Sequence, residues 1–145
     1  MRLADEAIHI GPAAAAESYL RGEVILQAAQ LEGGAYEWRQ HVPIALGVGV
    51  TQAQIDAVER GLYDDAALNA AERALLTFGR EVVEKVRVGD AAFAGVRKHF
   101  SEQEIVEAII ALGFYMMMAR LTEATETDLD PAAGMAVYEG GKKRG

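Results

Sequence analysis

The side chains best suited to chemistry lie together in residues 36–41, which read YEWRQH. On a helix, Glu37 and His41 are four residues apart and project from the same face. A carboxylate beside an imidazole raises the proton affinity of the imidazole and can fix its tautomer, as a general acid or base requires. The same spacing also occurs in ordinary surface pairs, and Trp38 could serve only as an apolar anchor to the core. Spacing by itself therefore favours a structural pair over a catalytic one.

Other ionisable or polarisable side chains carry weaker signals. His9 and His99 are isolated in the sequence, so we expect no metal site. Arg120 and Glu123 have the spacing of an intrahelical ion pair, although Arg120 could instead bind a substrate carboxylate. The run YMMM at residues 115–118 is soft, adaptable packing, which favours a core or subunit interface over a ligand pocket.

Length and composition restrict the classes of function. The 145 residues suit one domain, and the absence of cysteine excludes disulfides, thiolate metal sites and dithiol redox chemistry from these residues. A net charge of −8 disfavours binding to nucleic acid or to an anionic membrane surface. The strongest apolar run, residues 108–119, is shorter than the about 20 residues of a membrane-spanning helix. With no targeting signal recognised, we expect a cytoplasmic protein without membrane contact.

The elements that must position residues 36–41 are predicted to be helices throughout. Six are expected in a single domain over residues 1–145, at about residues 13–31, 35–46, 52–60, 65–86, 91–99 and 102–128. Thr51 with Gln54 and Ser101 with Glu104 have the spacing of capping boxes, which mark helix starts. Pro43 should bend or loosen the last turns of the second helix.

The fourth predicted helix has clear start signals and a clear apolar face. Asp64 and Asp65 are N-cap candidates for it, and Asp90 is one for the fifth helix. The apolar positions of the fourth predicted helix recur at helical spacing, so we expect them to be buried. They are Leu68, Leu75, Leu76, Val82, Val83 and Val86.

The stretch AAQLEGGAYEWRQHVPIALGVGVTQAQIDAV resembles the carboxymuconolactone decarboxylase family, whose superfamily also contains the alkylhydroperoxidase-D-like proteins. The YEWxxH core, the Pro-Ile-Ala that follows it, the glycine pair and the capped helix carry the resemblance. Two later stretches, LLTFGREVV and FSEQEIVEAIIALGFYMMMARL, are similar to the closing helices of the family. The resemblance covers roughly residues 21 to 131.

This resemblance implies an all-α fold that assembles as a homo-oligomer, a trimer or hexamer, with the site near subunit contacts. Redox members carry a Cys-x-x-Cys pair seven and four residues before the histidine, where this chain has Gly34 and Glu37. A thiol peroxidase mechanism is thereby excluded for these residues. Decarboxylase members work without thiols or a cofactor, which leaves Glu37 and His41 as the transferable pair and a small carboxylated molecule as the substrate.

One departure from the family pattern affects the expected proton relay. The family usually has a glutamate nineteen residues before the histidine, and here that position is Gly22. Glu23 is one residue late, and a one-residue shift turns a helical side chain by about 100°. Glu23 is therefore a candidate that should not simply substitute, unless a local irregularity at Gly22 restores its direction.

The N-terminal stretch resembles a different protein. Residues 4 to about 29, ADEAIHIGPAAAAESYLRGEVILQAA, are similar to a segment near the N-terminus of biotin carboxylases. We hypothesise that a recombination or frame error joined this helical fragment to a decarboxylase-like body, without any carboxylase activity. At the other end, residues 132–145 are glycine-rich and basic, and we predict a flexible tail.

Two functions of different classes remain open. In the first, His41 is a general acid or base that Glu37 orients, Glu23 completes the catalytic set, and Tyr36, Trp38 and Arg120 bind the substrate. The reaction is then decarboxylation or a related proton transfer. In the second, the chain is a catalytically silent oligomeric relative that binds a small apolar ligand or only itself, which the glycine at position 22 favours.

Overall fold

The computed structural model of the chain describes residues 15–133, with side chains from residue 22 onward. Within this part there are six α-helices and no strand, which confirms the predicted all-α fold. The helices are α1 (Ala15–Glu32), α2 (Ala35–Gly47), α3 (Gln52–Glu59), α4 (Ala70–Lys85), α5 (Asp90–Val96) and α6 (Glu102–Ala124). The first residues of the biotin-carboxylase-like segment and most of the predicted tail lie outside the described residues.

Helix α1 lies at the centre of the fold and packs against α2, α3, α4 and α6. One core cluster joins α1 to α2 and α3 through fully buried side chains that include Leu26, Ile55 and Val58. A second joins α1 to α4, α5 and α6 around Phe78 and Leu112. Burial of these apolar surfaces is the main force that holds the helices together. Helices α2 and α6 also contact each other beside α1.

Both predicted capping boxes are confirmed. The Thr51 hydroxyl accepts from the Gln54 amide, and the Gln54 side chain accepts from the Thr51 amide. Ser101 and Glu104 make the same reciprocal pair at the start of α6. Each box satisfies two backbone donors that the first turn of a helix would otherwise leave unpaired.

The predicted start of α4 at Asp65 is wrong. The helix begins at Ala70, because Asn69 and Glu72 form a capping box there. Asp65 instead accepts a hydrogen bond from the amide of Ala67 in the preceding turn. Asparagine is as good an N-cap as aspartate, so the sequence contained two competing start signals a few residues apart.

The far end of α4 also differs from the prediction. Val86, expected to be buried, is 87% exposed and follows the last residue of the helix. Its φ is 63°, and the Arg87 amide donates across it to the Lys85 carbonyl oxygen at 2.6 Å. This is a tight γ-turn, which is strained for a β-branched residue. Among the other predicted positions Leu75 and Leu76 are buried, and Leu68 is buried although it precedes the helix.

Three further boundaries are refined. Helix α2 continues through Pro43 to Gly47, and its last turn is closed by the Val48 amide donating to the Ile44 carbonyl. Helix α5 ends at Val96, three residues before the predicted end. Helix α6 ends at Ala124, earlier than the predicted residue 128.

Helix α6 carries a continuous exposed apolar face. Its members are Ile109, Ile110, Phe114, Met117 and Leu121, each at least 38% exposed. In the described part of the chain, α6 is the one helix whose length and mean hydropathy (1.6) would allow it to cross a membrane. Helices that pack inside proteins or assemblies meet the same criterion, so the criterion is weak for a single helix.

Candidate functional site

Helices α2 and α6 bring the candidate chemical groups together. His41 Nε2 lies 3.2 Å from the hydroxyl oxygen of Tyr115, and the two rings meet edge to face with centroids 4.9 Å apart. His41 Nδ1 lies 2.8 Å from the backbone carbonyl oxygen of Glu37. Because a carbonyl only accepts, Nδ1 carries the proton of the neutral ring, and the Tyr115 hydroxyl donates to Nε2. Two contacts thus fix the tautomer of His41.

The surroundings keep both members of this pair uncharged. Burial lowers the pKa of His41 below its usual 6.5, although the hydrogen bond to the Glu37 carbonyl and the Glu37 charge oppose the shift. Burial raises the pKa of Tyr115 above its usual 10, and the Glu37 charge adds to this rise. Near neutral pH, His41 is therefore a free base and Tyr115 a protonated donor. The pair offers a lone pair and a hydroxyl proton side by side, as an acid/base step requires.

The side chain of Glu37 is buried beside the pair and is 3% exposed. Its carboxylate oxygens lie 3.1 and 3.0 Å from the hydroxyl oxygen of Thr122 on α6. The hydrogen bond to the imidazole comes from the main chain of Glu37, so its carboxylate acts on His41 through charge. The four-residue spacing alone could not distinguish these two modes of contact.

Gly34 makes room for this carboxylate. A Cβ atom at position 34 would lie 2.9 Å from Glu37 Oε2 and 2.8 Å from the Cβ atom of Ala119. Both distances are too short for ordinary contact, so the glutamate at position 37 and a side chain at position 34 compete for the same space. The two positions that the family resemblance aligns with a dithiol are packed here around a single carboxylate.

Glu23 lies in a different polar cluster. It is fully buried, its two oxygens have no hydrogen-bond partner among the described residues, and burial followed by the charge of Glu72 on α4 raises its pKa to about 8. Gly22 faces α2: a Cβ atom there would lie 3.5 Å from the Cβ of Ala45, one turn beyond His41. The one-residue offset therefore directs the glutamate to α4 and leaves glycine facing the end of α2.

The three predicted substrate-binding residues do not form one group. Tyr36 is half-buried on α2. Trp38 is also half-buried and packs against the core cluster between α1, α2 and α3. Arg120 is on the exposed surface of α6. Trp38 therefore contacts the core, as the structural alternative expects, and its role in substrate binding stays a prediction.

The expected intrahelical pair between Arg120 and Glu123 is wrong. Arg120 pairs with Glu32 at the end of α1, at 3.0 Å, and Glu123 accepts from the amide of Ala35 at the start of α2, at 2.9 Å. Both contacts tie α6 to the junction of α1 and α2. A residue of α6 therefore satisfies a first-turn donor of α2, the helix that carries His41.

Sequence reasoning missed two residues of the site, Tyr115 and Thr122. They lie seven positions apart on α6, so they share a face after two turns. A signal was available in this spacing, since both are hydroxyl-bearing residues in a largely apolar helix. Their contact with residues of α2 joins positions more than 70 apart in sequence, which no local pattern reveals. In the described chain no group of three metal-ligating side chains is found.

Comparisons with known proteins agree with this architecture. A protein of unknown function from Agrobacterium tumefaciens, described as a candidate antioxidant defence protein AhpD, is 24% identical over 77% of each chain, with a TM-score of 0.71. A peroxidase-related protein from a Silicibacter species is 18% identical, with a TM-score of 0.71. That match covers 87% of this chain but only 65% of the Silicibacter chain. The fold is therefore that of AhpD-like helical proteins.

One segment of the sequence also matches a protein family. Residues 20–78 match the carboxymuconolactone decarboxylase family. This segment contains Glu37 and His41 and covers less than half of the chain, and the solved structures show the shared fold. No curated protein matches the chain significantly. The resemblance of residues 4–29 to biotin carboxylase finds no support in these comparisons.

Proposed function

We propose that this protein catalyses acid/base chemistry without a cofactor on a small carboxylated molecule, by decarboxylation or a related proton transfer. The observation that carries the proposal is the fixed tautomer of His41, with Nδ1 bonded to the Glu37 carbonyl and Nε2 facing the Tyr115 hydroxyl. In this arrangement His41 Nε2 is the general base, and Tyr115 is the neighbouring proton donor. Glu37 supplies a buried negative charge that opposes the loss of proton affinity at His41.

The names of the two structural neighbours refer to antioxidant defence and to peroxidases. A dithiol route to peroxide reduction is closed to these 145 residues because they contain no cysteine. The dithiol positions hold Gly34 and the buried Glu37 instead. Acid/base chemistry is the activity that the remaining groups can supply.

A screen with a matched control tests the proposal. The full chain is assayed for carbon dioxide release and ring opening on a panel of lactone acids and keto acids. We expect His41→Ala to remove the activity that is found, whereas His99→Ala, at an exposed histidine, should leave it unchanged. An activity that survives His41→Ala at the wild-type rate would refute catalysis through this site.

A second candidate is a catalytically silent protein that assembles with copies of itself as a trimer or hexamer. The exposed apolar face of α6 favours the assembly, which the proposed enzyme would share, because apolar surface of this kind is stabilised when another chain covers it. The glycine at position 22 is the observation that favours a silent protein, since the side chain that completes the relay in the family pattern is missing. Sedimentation at micromolar concentration tests the assembly, and a stable monomer would overturn it.

A further inference from the structure

The hydroxyl group of Thr122 lies among four acceptor oxygens. Two belong to the Glu37 carboxylate, at 3.1 and 3.0 Å, and two are the backbone carbonyl oxygens of Met118 and Ala119, both at 3.1 Å. A hydroxyl carries one proton, so it can satisfy only one of these acceptors at a time. The choice of acceptor decides whether the buried carboxylate has a hydrogen-bond donor.

The Thr122 hydroxyl forms its stronger hydrogen bond with the Glu37 carboxylate. The carbonyl oxygen of Met118 also accepts within the helix, whereas Thr122 is the donor that the described residues provide for the Glu37 carboxylate. A hydrogen bond to an ionised acceptor is about twice as strong as one between neutral groups.

The charge of Glu37 is felt by both members of the acid/base pair. It opposes the fall in the pKa of His41 and contributes to the rise in the pKa of Tyr115. Loss of this charge would therefore lower both pKa values. The hydrogen bonds of the Thr122 hydroxyl go to Glu37 and to the backbone of α6, so its effect on the imidazole is expected to pass through Glu37.

We propose that Thr122 is a positioning residue that holds the Glu37 carboxylate in place beside His41 and Tyr115. It thereby tunes the site of the proposed function, on which this inference rests. The sequence alone does not reveal the partner of this threonine, because Glu37 lies 85 residues away.

An NMR titration of the full chain tests this role without a substrate. The ring protons of His41 are assigned by their absence in His41→Ala. Thr122→Val removes the hydroxyl at nearly constant volume, Thr122→Ser retains it, and Glu37→Gln removes the charge directly. We expect Glu37→Gln to lower the pKa of His41, because the charge that opposes the effect of burial is lost. Thr122→Val should reproduce most of this change, and Thr122→Ser should stay close to the wild type.

The double variant Glu37→Gln/Thr122→Val decides whether the two residues act in one path. If Thr122 acts through Glu37, the pKa of His41 in the double variant equals that in Glu37→Gln. Additive changes would overturn the proposal, as would an unchanged pKa in Thr122→Val beside a lowered one in Glu37→Gln. An unchanged pKa in Glu37→Gln would also overturn it. Because the readout is a pKa and not turnover, a failed substrate screen and a failed titration remain distinct results.

Discussion

The fully buried Glu23 makes the stability of this protein depend on pH in a way that one substitution should remove. Its carboxyl group faces Glu72 and has no hydrogen-bond partner among the described residues. Both burial and the neighbouring charge disfavour ionisation, so the pKa rises from 4.5 to about 8. The folded protein therefore holds a proton at Glu23 at neutral pH that the unfolded chain releases.

The size of the effect follows from the difference between the pKa of Glu23 in the folded and in the unfolded chain. Between about pH 4.5 and pH 8 the folded state binds more protons than the unfolded state, so the free energy of unfolding falls as pH rises. A pKa difference of 1 corresponds to about 1.4 kcal/mol, so the cost approaches about 5 kcal/mol above pH 8 and about 3 kcal/mol near pH 7. Below about pH 4.5 the carboxyl is protonated in both states, and the cost disappears.

Glu23→Gln keeps the size of the side chain and removes its titration. We expect the stability difference between variant and wild type to grow in favour of the variant as pH rises from about 5 to about 8.5, by several kcal/mol. Any constant cost of burying an amide changes this difference at every pH alike and leaves its slope intact.

Urea unfolding followed by circular dichroism, at a series of pH values, measures this slope. Glu84→Gln, on the exposed side of α4, is the matched control and should give a nearly flat difference. A flat difference for Glu23→Gln, or one that grows toward low pH, would show that the folded protein does not hold Glu23 as a buried neutral acid.

Three further outcomes are expected. Tyr115→Phe should lower the turnover found for the proposed reaction about 100-fold with little change in KM, and an unchanged kcat would exclude the phenol as proton donor. Val86→Gly should raise the free energy of unfolding by about 1 kcal/mol, because glycine adopts a φ of 63° without strain. Val86→Ala should give no gain, and equal stability of the wild type and both variants would contradict the strain. Gly34→Ala should cost about 2 kcal/mol because its Cβ would lie 2.8 Å from that of Ala119, and Ala119→Gly should restore part of the loss. Gly95→Ala, where the Cβ meets open space, is the control for this pair in urea unfolding, and a similar loss there would count against the steric reason.

Local patterns in the sequence predicted those features that local interactions create. The capping boxes at Thr51 and Ser101 were recognised because their partners lie three residues away. At the start of α4 two good N-cap residues competed, and the prediction chose Asp65 although Asn69 and Glu72 have the same three-residue spacing and form the capping box. Sequence patterns predicted the six helices, while several of their ends lie a few residues from the predicted positions.

In the candidate site, too, local features followed from the sequence and long-range contacts did not. The sequence by itself determined that these residues contain no thiol and that Glu37 and His41 share one face of a helix. Only the tertiary structure decided that His41 is held by a backbone carbonyl and by Tyr115, that Thr122 contacts Glu37, and that the neighbour of Glu23 is Glu72. The physical reason is that proton affinities depend on burial and on charges from helices far apart in sequence, and these are set when α1, α2, α4 and α6 pack together.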